Sequence, residues 1–161
     1  DGTGLVQRFV VVGGGIVVVI VVDHATAATV ACINEGSELR RLEKSTQQLP
    51  FAIRITQGGA LISSTCYLNI APEHRRLEIG WTWIAPNHWG GWANAAAKFL
   101  LFEHAFETLG AQRVELRTDA LNQRDRRAIL KLGAIEEGLL RRHMVVAGGR
   151  AQRTFGAALS A

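Results

Sequence analysis

The part of the sequence that most restricts the fold runs from residue 77 to residue 119, where strand, glycine-loop, helix and strand patterns follow one another. LEIGWTWI (77–84) alternates as a strand does. ANAAAKFLLFEHAFETLG (93–110) is rich in Ala and Leu and ends at a glycine, as a buried helix would. RVELRTD (113–119) resumes a strand. A strand, a helix and a second strand form a right-handed crossover, so the sequence predicts one parallel pair of strands.

Two antiparallel hairpins are predicted outside this unit, each from two strand patterns joined at glycines. Their strands are LPFAIRIT (49–56) with ALISSTCYLN (60–69), and AIEEGLLRRHMVV (134–146) with RAQRTFGAAL (150–159). Two further helices are predicted at residues 36–48 and 122–132. No linker divides the chain, so we expect a single α+β domain over residues 1–161, in which the first 35 residues carry no motif.

The apolar start VVVGGGIVVVIVVD (10–23) imitates a dinucleotide-binding loop. Such a loop needs a third spaced glycine and a helix directly after it, but the residues that follow Gly15 are nearly all β-branched, which favours a strand. We therefore predict two short strands that turn at Gly13 to Gly15. The run is too short for a membrane span, which needs roughly 20 residues, and the alternative of a secretory leader stays open.

The composition favours an anionic ligand without identifying it. Eighteen Lys and Arg residues against fourteen Asp and Glu give a net charge of +4. No zinc-finger spacing or aromatic RNA-binding signature accompanies the charge, so nucleic acid is not the predicted partner. Cys32 and Cys66 form no C-x-x-C pair and are expected to be core residues in a reducing cytoplasm. The histidines lack metal-ligand spacing, so we expect no metal.

The loop His88-Trp89-Gly90-Gly91 is the best candidate for binding phosphate, because it directly precedes the long helix. The first amides of a helix and the positive end of its dipole attract anions. Asn94 and Lys98, one helical turn apart, form a polar stripe beside the loop. A purely structural turn would also explain the glycines, so this pattern alone leaves both interpretations open.

A longer pattern is more specific. YLNIAPEHRRLEIGWTWIAP, HWGGWANAAAKFLLFEHAFETLG and RVELRTDALNQRDRRAILKLGAIEEGLLRRHM, in this order and spacing, resemble the GNAT acetyltransferases, most closely their ribosomal-protein alanine acetyltransferase (RimJ/RimL-like) branch. The resemblance implies the GNAT fold, a mixed and mostly antiparallel sheet whose central parallel pair splays apart to hold CoA, flanked by helices. It also implies acetyl transfer from acetyl-CoA to a primary amine, a protein N-terminus or a small amine. A homodimer is compatible with the sequence.

The resemblance also assigns a donor site. It places pantetheine on the backbone of residues 80–84 and the pyrophosphate on residues 88–94. Asn122 matches an asparagine that fixes the pantetheine arm, although a helix cap explains it equally well. The cluster of Arg124, Arg126 and Arg127 could meet phosphates, and the alternative for at least one of them is a solvated helix face. The predicted cofactor-binding residues are Trp81, Thr82, Trp83, Ile84, His88, Trp89, Gly90, Gly91, Trp92, Ala93, Asn94, Asn122, Arg124 and Arg127.

Glu78 is the predicted general base, with Asn122 as the second catalytic residue. Strand alternation predicts two faces, one with Leu77, Ile79, Trp81 and Trp83 and a cleft-side one with Glu78, Gly80 and Thr82. The alternative for Glu78 is a salt bridge to Arg75 or Arg76. His74 is a second candidate base, whereas His104 and His143 are expected to be structural.

The chain departs from the family pattern at several positions, and the first three of those that follow support an alternative function, a GNAT-like protein that binds CoA with little or no catalysis. Trp92 replaces a small residue, and Asp125 replaces a serine. The tyrosine that would protonate the leaving thiolate is replaced near Ile129 and Leu130, and the usual Arg-Asp pair appears as Gln152-Arg153.

Overall fold

The computed structural model describes residues 10–13, 16–20, 49–55 and 61–161. The strands in these ranges are β1 (Val10–Gly13), β2 (Ile16–Ile20), β3 (Leu49–Ile55), β4 (Leu61–Ala71), β5 (Arg76–Ile84), β6 (Arg113–Asp119), β7 (Ile135–Val145) and β8 (Ala151–Ser160). The helices are α1 (Ala93–Glu103), which continues as a π-helical turn (His104–Thr108), and α2 (Gln123–Lys131). The helix predicted at residues 36–48 lies outside the described residues.

The described strands form one sheet in the order β1-β2-β3-β4-β5-β6-β8-β7. All neighbours are antiparallel except β5 and β6, which are parallel and are joined through α1. The predicted crossover, both hairpins and the α+β class are therefore confirmed. β1 and β2 also pair with each other, with Gly13 opposite Ile16, so the two short strands predicted in the apolar start are confirmed.

The core lies between one face of the sheet and the two helices. Leu77 and Val114, from the parallel strands, are buried in it together with Leu101 of α1. Tyr67 of β4 is fully buried, and its hydroxyl donates to the carbonyl of Leu101 at 2.6 Å. Helix α1 is largely buried, as predicted, and its outer side carries Phe99, which is 67% exposed. Within the described ranges, no helix has the length and apolarity to cross a membrane.

The parallel strands pair only at their beginnings. Their register runs from Arg76 opposite Arg113 to Ile79 opposite Leu116, although β5 continues to Ile84 and β6 to Asp119. Beyond the last pair the two strands diverge. The predicted splay of the parallel pair is therefore confirmed, and it leaves a gap near the middle of the sheet.

Candidate active site

A β-bulge in β5 lies at the start of this gap. Two residues of β5, Trp81 and Thr82, oppose the single residue Thr65 of β4. Trp81 accommodates the extra length with a φ of 52°, in the left-handed region that a bulky residue rarely adopts. A bulge bends its strand and interrupts the alternation of its side chains. After Gly80, the side chains of β5 therefore point to the faces opposite to those that regular alternation predicts.

The faces predicted for β5 are right as far as Gly80 and wrong beyond it. Thr82 lies on the helix side, where its Oγ1 accepts a hydrogen bond from Lys98 Nζ at 2.6 Å, and not on the Glu78 side. Trp81 is 48% exposed and Trp83 is half-buried, so neither is the core residue that regular alternation predicts. The extra residue of the bulge is the physical reason.

On the helix side the gap opens as a cleft of about 290 Å³. Its walls come from β5, β6, α1 and α2, as the resemblance implies for a donor site. Four of the predicted donor-binding residues line it: Trp81, Thr82, Ile84 and Asn94. Lys98 and Asp125 also line it, from α1 and α2.

Helix α1 begins beside this cleft with amides that have no partner inside the helix. The first helical bond runs from the Ala96 amide to the Trp92 carbonyl at 3.0 Å, so the amides of residues 93 to 95 precede the ladder. Gly90, with a φ of 73°, makes the turn that leads into the helix. The predicted loop thus presents a helix start suited to an anion.

Trp89 and Arg124 contact each other next to the loop. The indole Nε1 of Trp89 donates to the carbonyl of Ile84 at 2.8 Å, and the Arg124 guanidinium lies 5.1 Å from the centre of the indole ring. Trp92 is 57% exposed and is not among the described residues that line the cleft, so its indole does not fill it. Arg127 is exposed on α2.

Asn122 is the N-cap of α2. Its Oδ1 accepts from the Asp125 amide at 3.1 Å, and its Nδ2 donates to the Asp125 carboxylate at 2.7 Å. The helix-cap interpretation is therefore confirmed. A role toward the donor stays a prediction, because Asp125 and not Asn122 is among the described residues that line the cleft.

Glu78 is buried on the sheet face opposite the helices. Its Oε2 accepts from Asn69 Nδ2 at 2.8 Å and lies 3.5 Å from Arg117 Nε. The ion-pair partner is thus Arg117 of β6 and not Arg75 or Arg76 as the alternative proposed; Arg76 lies 3.8 Å from Glu115 instead. Sequence reasoning missed Asn69 and Arg117, because both reach Glu78 from neighbouring strands.

Gly80 leaves space beside the Glu78 carboxylate. A Cβ at position 80 would lie 3.5 Å from Glu78 Oε1 and 2.8 Å from Leu68 Cδ1. The absence of a side chain therefore leaves Oε1 beside the point where the strands diverge.

A second pocket, of about 660 Å³, is lined by Asn69 and Arg117, the two residues that contact Glu78. Its polar lining residues are Asn69, Glu73, His74, Arg76 and Arg117. His74, the second candidate base, is exposed and lies 3.8 Å from Glu73. Polar side chains therefore surround the face on which Glu78 lies.

Lys98, predicted from the sequence only as part of a polar stripe beside the loop, is a buried amine that lines the cleft. It is only 7% exposed, and its Nζ donates to Thr82 Oγ1 at 2.6 Å and Thr65 Oγ1 at 3.3 Å. Burial lowers the pKa of Lys98 from 10.5 to about 7, against smaller opposing effects of Cys66 and Asp125. A single lysine inside the apolar run AAAKFLLF was the signal that could have identified it.

The remaining titratable candidates are structural. Burial raises the pKa of the Cys66 thiol to about 11. His104 is buried and stacks on Tyr67 with ring centres 6.2 Å apart, and His143 Nδ1 lies 3.1 Å from Thr154 Oγ1. Among the described residues, no three His, Cys, Asp or Glu side chains lie close enough together to hold a metal ion.

Comparison with known proteins agrees with this architecture. The family model of the acetyltransferase (GNAT) domain matches residues 21–135. The uncharacterized N-acetyltransferase YoaA of Bacillus subtilis (strain 168) is 34% identical over 85 residues, 52% of this chain and 47% of that protein. The matched segment thus spans about half the length of that relative.

Solved structures share the fold. A GCN5-related N-acetyltransferase from Brucella melitensis matches with a TM-score of 0.82 at 22% identity, over 96% of this chain and 79% of that one. The spermidine/spermine N-acetyltransferase SpeG from Vibrio cholerae matches with a TM-score of 0.77 at 18% identity, over 91% of this chain and 92% of that one. Because the family model covers well over half of the 161 residues, the chain belongs to the GNAT acetyltransferase family.

Proposed function

We propose that the protein is an N-acetyltransferase that moves the acetyl group of acetyl-CoA to a primary amine by direct attack on the thioester. The observation that carries the proposal is the divergence of β5 and β6 after Ile79 and Leu116. A carboxylate, Glu78, lies at this point on one face, and a cleft with a helix start lies on the other. A donor in the cleft would place its thioester between them.

The residues of the cleft fit the donor. The free amides at residues 93 to 95 suit a diphosphate. The backbone of β5 beyond Ile79 no longer pairs with β6, so its amides and carbonyls are available to the amide groups of pantetheine, in the manner of an added strand. Arg124, stacked on Trp89, supplies positive charge near the same helix start.

Glu78 is the group that we propose as general base. It can accept the proton of the attacking amine directly or through one water molecule. Asn69 and Arg117 hold its Oε2, which leaves Oε1 for the acceptor. The acceptor would approach from the open polar pocket beside Glu78.

The two acceptor classes in this proposal, a protein N-terminus and a small amine, come from similarity to other proteins and not from the geometry of the site. The resemblance to the RimJ/RimL-like branch favours a protein N-terminus, whereas the Vibrio cholerae neighbour is a spermidine/spermine N-acetyltransferase, which favours a small amine. A spermidine N-acetyltransferase from the same organism is dodecameric, and we include self-association, a homodimer or larger, in the proposal. A single domain over residues 1–161 and a cytoplasmic location are also part of it.

A second candidate function is a CoA-binding protein with little or no catalysis. The observation that favours it is the position of Asp125 in the cleft, because a carboxylate there repels a phosphate or a thiolate. Asp125 is partly neutralised, since Asn122 Nδ2 donates to it and the buried amine of Lys98 lies close enough to interact with it electrostatically.

Thiol release from acetyl-CoA in the presence of a panel of amines and N-terminal peptides separates the two functions. The enzyme should release CoA steadily with at least one acceptor. Glu78→Gln should then lower kcat by about 100-fold or more, whereas Glu107→Gln, which changes an exposed glutamate, should not. CoA binding without thiol release for any acceptor would contradict the enzyme and support the second function.

A further inference from the structure

The thiolate that leaves the donor needs a proton, and Glu78 is on the wrong face of the sheet to supply it. When an amine displaces a thiolate, the amine loses a proton and the thiolate gains one. Glu78 lies on the face from which the acceptor comes, and the donor cleft opens on the other face. We therefore expect the proton that the thiolate gains to come from a group on the helix side of the gap.

Lys98 has the required position. It lines the cleft together with Thr82, and its amine is held there by Thr82 Oγ1 at 2.6 Å and Thr65 Oγ1 at 3.3 Å. It projects from α1, on the sheet face opposite Glu78. An acid on one face and a base on the other match a displacement in which the amine enters from one side and the thiolate leaves on the other.

We propose that Lys98 is the catalytic acid that protonates the leaving thiolate, a role that rests on the proposed acetyl transfer. The acceptor nitrogen forms a bond with the carbonyl carbon, and the bond between that carbon and sulfur breaks with its electron pair on sulfur. The Lys98 ammonium gives a proton to sulfur, and the amide nitrogen gives a proton toward Glu78. Solvent then takes the proton from Glu78 and reprotonates Lys98, and no oxidant or other reactant is needed.

The charged surroundings of Lys98 suit this role. Burial lowers its pKa to about 7, so its ammonium gives up a proton near neutral pH more readily than that of an exposed lysine. Asp125 of α2 favours the charged form. The Cys66 thiol of β4 is uncharged near neutral pH, because burial raises its pKa to about 11, and the Arg117 guanidinium of β6 pairs with Glu78 and Glu115 on the other face of the sheet.

Other proton donors near the cleft are excluded by their chemistry. Tyr67 donates its hydroxyl proton to the Leu101 carbonyl, and burial raises its pKa. An arginine does not deprotonate in this range. Among the described residues that line the cleft, Lys98 is therefore the one with a proton that can leave near neutral pH.

The test compares Lys98→Met and Lys98→Arg with the wild type and with Lys131→Met, which removes an exposed lysine at the end of α2. Thiol release is measured between pH 6 and 9 with the best acceptor. CoA affinity is measured by calorimetry, and the Lys98 side chain is titrated by NMR of its Cε. A phenyl thioacetate, whose thiolate leaves without a proton, serves as the second donor.

Both Lys98 variants should lower kcat with acetyl-CoA by about 100-fold or more, should lose the decline of kcat at alkaline pH, and should bind CoA within about threefold of the wild type. Their rates with phenyl thioacetate should be near those of the wild type, and Lys98 should titrate near pH 7. Unchanged kcat in Lys98→Met, full activity in Lys98→Arg, equal losses with both donors, or titration near pH 10 would each overturn the acid role. A wild type that releases no thiol with any acceptor would instead refute the proposed function itself.

Discussion

Replacing Lys98 with methionine should stabilise the protein. The lysine is buried, and its pKa falls from 10.5 to about 7 because burial disfavours the charged amine. Each pH unit of such a change corresponds to about 1.4 kcal/mol, so keeping the ammonium in the folded state at pH 7 costs about 5 kcal/mol. Methionine has a similar length and no charge, and therefore removes this cost.

The gain should be about 3 to 5 kcal/mol at pH 7, or roughly 10 °C in Tm for a chain of this size. Thr65 and Thr82 would stay satisfied, because their hydroxyls lie 2.8 Å apart and bond to each other. Between pH 7 and 10.5 the unfolded chain holds the proton and the folded chain does not, so wild-type stability rises with pH. The advantage of Lys98→Met should therefore shrink to about 2 kcal/mol at pH 9.

Urea unfolding of the wild type, Lys98→Met and Lys131→Met at pH 7 and pH 9 measures this difference. The Lys131 variant should track the wild type at both values. If Lys98→Met is no more stable at pH 7, or if its advantage does not depend on pH, Lys98 is not a buried charge and the reasoning fails.

Three further predictions concern Gly80, Asn122 and Glu115. Gly80→Ala should destabilise the fold by about 1 kcal/mol, because the new Cβ would lie 2.8 Å from Leu68 Cδ1; a double-mutant cycle with Leu68→Ala should show a favourable coupling, and strict additivity would refute the clash. Asn122→Ala should cost about 1 kcal/mol through loss of the α2 cap, and thermal unfolding that matches the wild type would contradict it. Glu115 is buried, which raises its pKa, but hydrogen bonds from Arg113 and Arg117 outweigh this and lower it; the stability that it contributes above its ordinary pKa is lost as the pH falls through the lowered value. In Glu115→Gln the free energy of unfolding should therefore fall less steeply with decreasing pH below about pH 5. A pH dependence identical to that of the wild type would contradict this.

The order of the elements could be predicted because it depends on local patterns. The alternation of LEIGWTWI, the helical run that follows it and the glycines that end both helices are properties of neighbouring residues. The crossover rule then turns this order into a parallel pair. The same local reasoning fails at Trp81, because a bulge is a mismatch between two strands, and the partner strand lies elsewhere in the sequence.

The candidate site could be predicted where one short segment supplies it and not where several elements meet. Glu78 and the loop before α1 are each visible in a single stretch. The hydrogen bond from Asn69 to Glu78 and the ion pair with Arg117 need β4, β5 and β6 side by side. The lowered pKa of Lys98 depends on the packing of α1 under Thr65 and Thr82. Burial produces it, and burial is not visible in the sequence around Lys98.

The bulge at Trp81 has a consequence for a shorter version of the chain. Deleting Trp81 would restore one-to-one pairing of β4 and β5 between Ser64 and Cys66 while Thr82 and Ile84 kept their present orientations, because the extra residue is the one that interrupts the alternation there. The strand would then run straighter toward β6 and the opening would narrow. Such a deletant should fold as well as its parent or better and bind CoA worse. We therefore expect the irregular strand to cost the sheet some stability and to keep the cleft wide enough for its ligand.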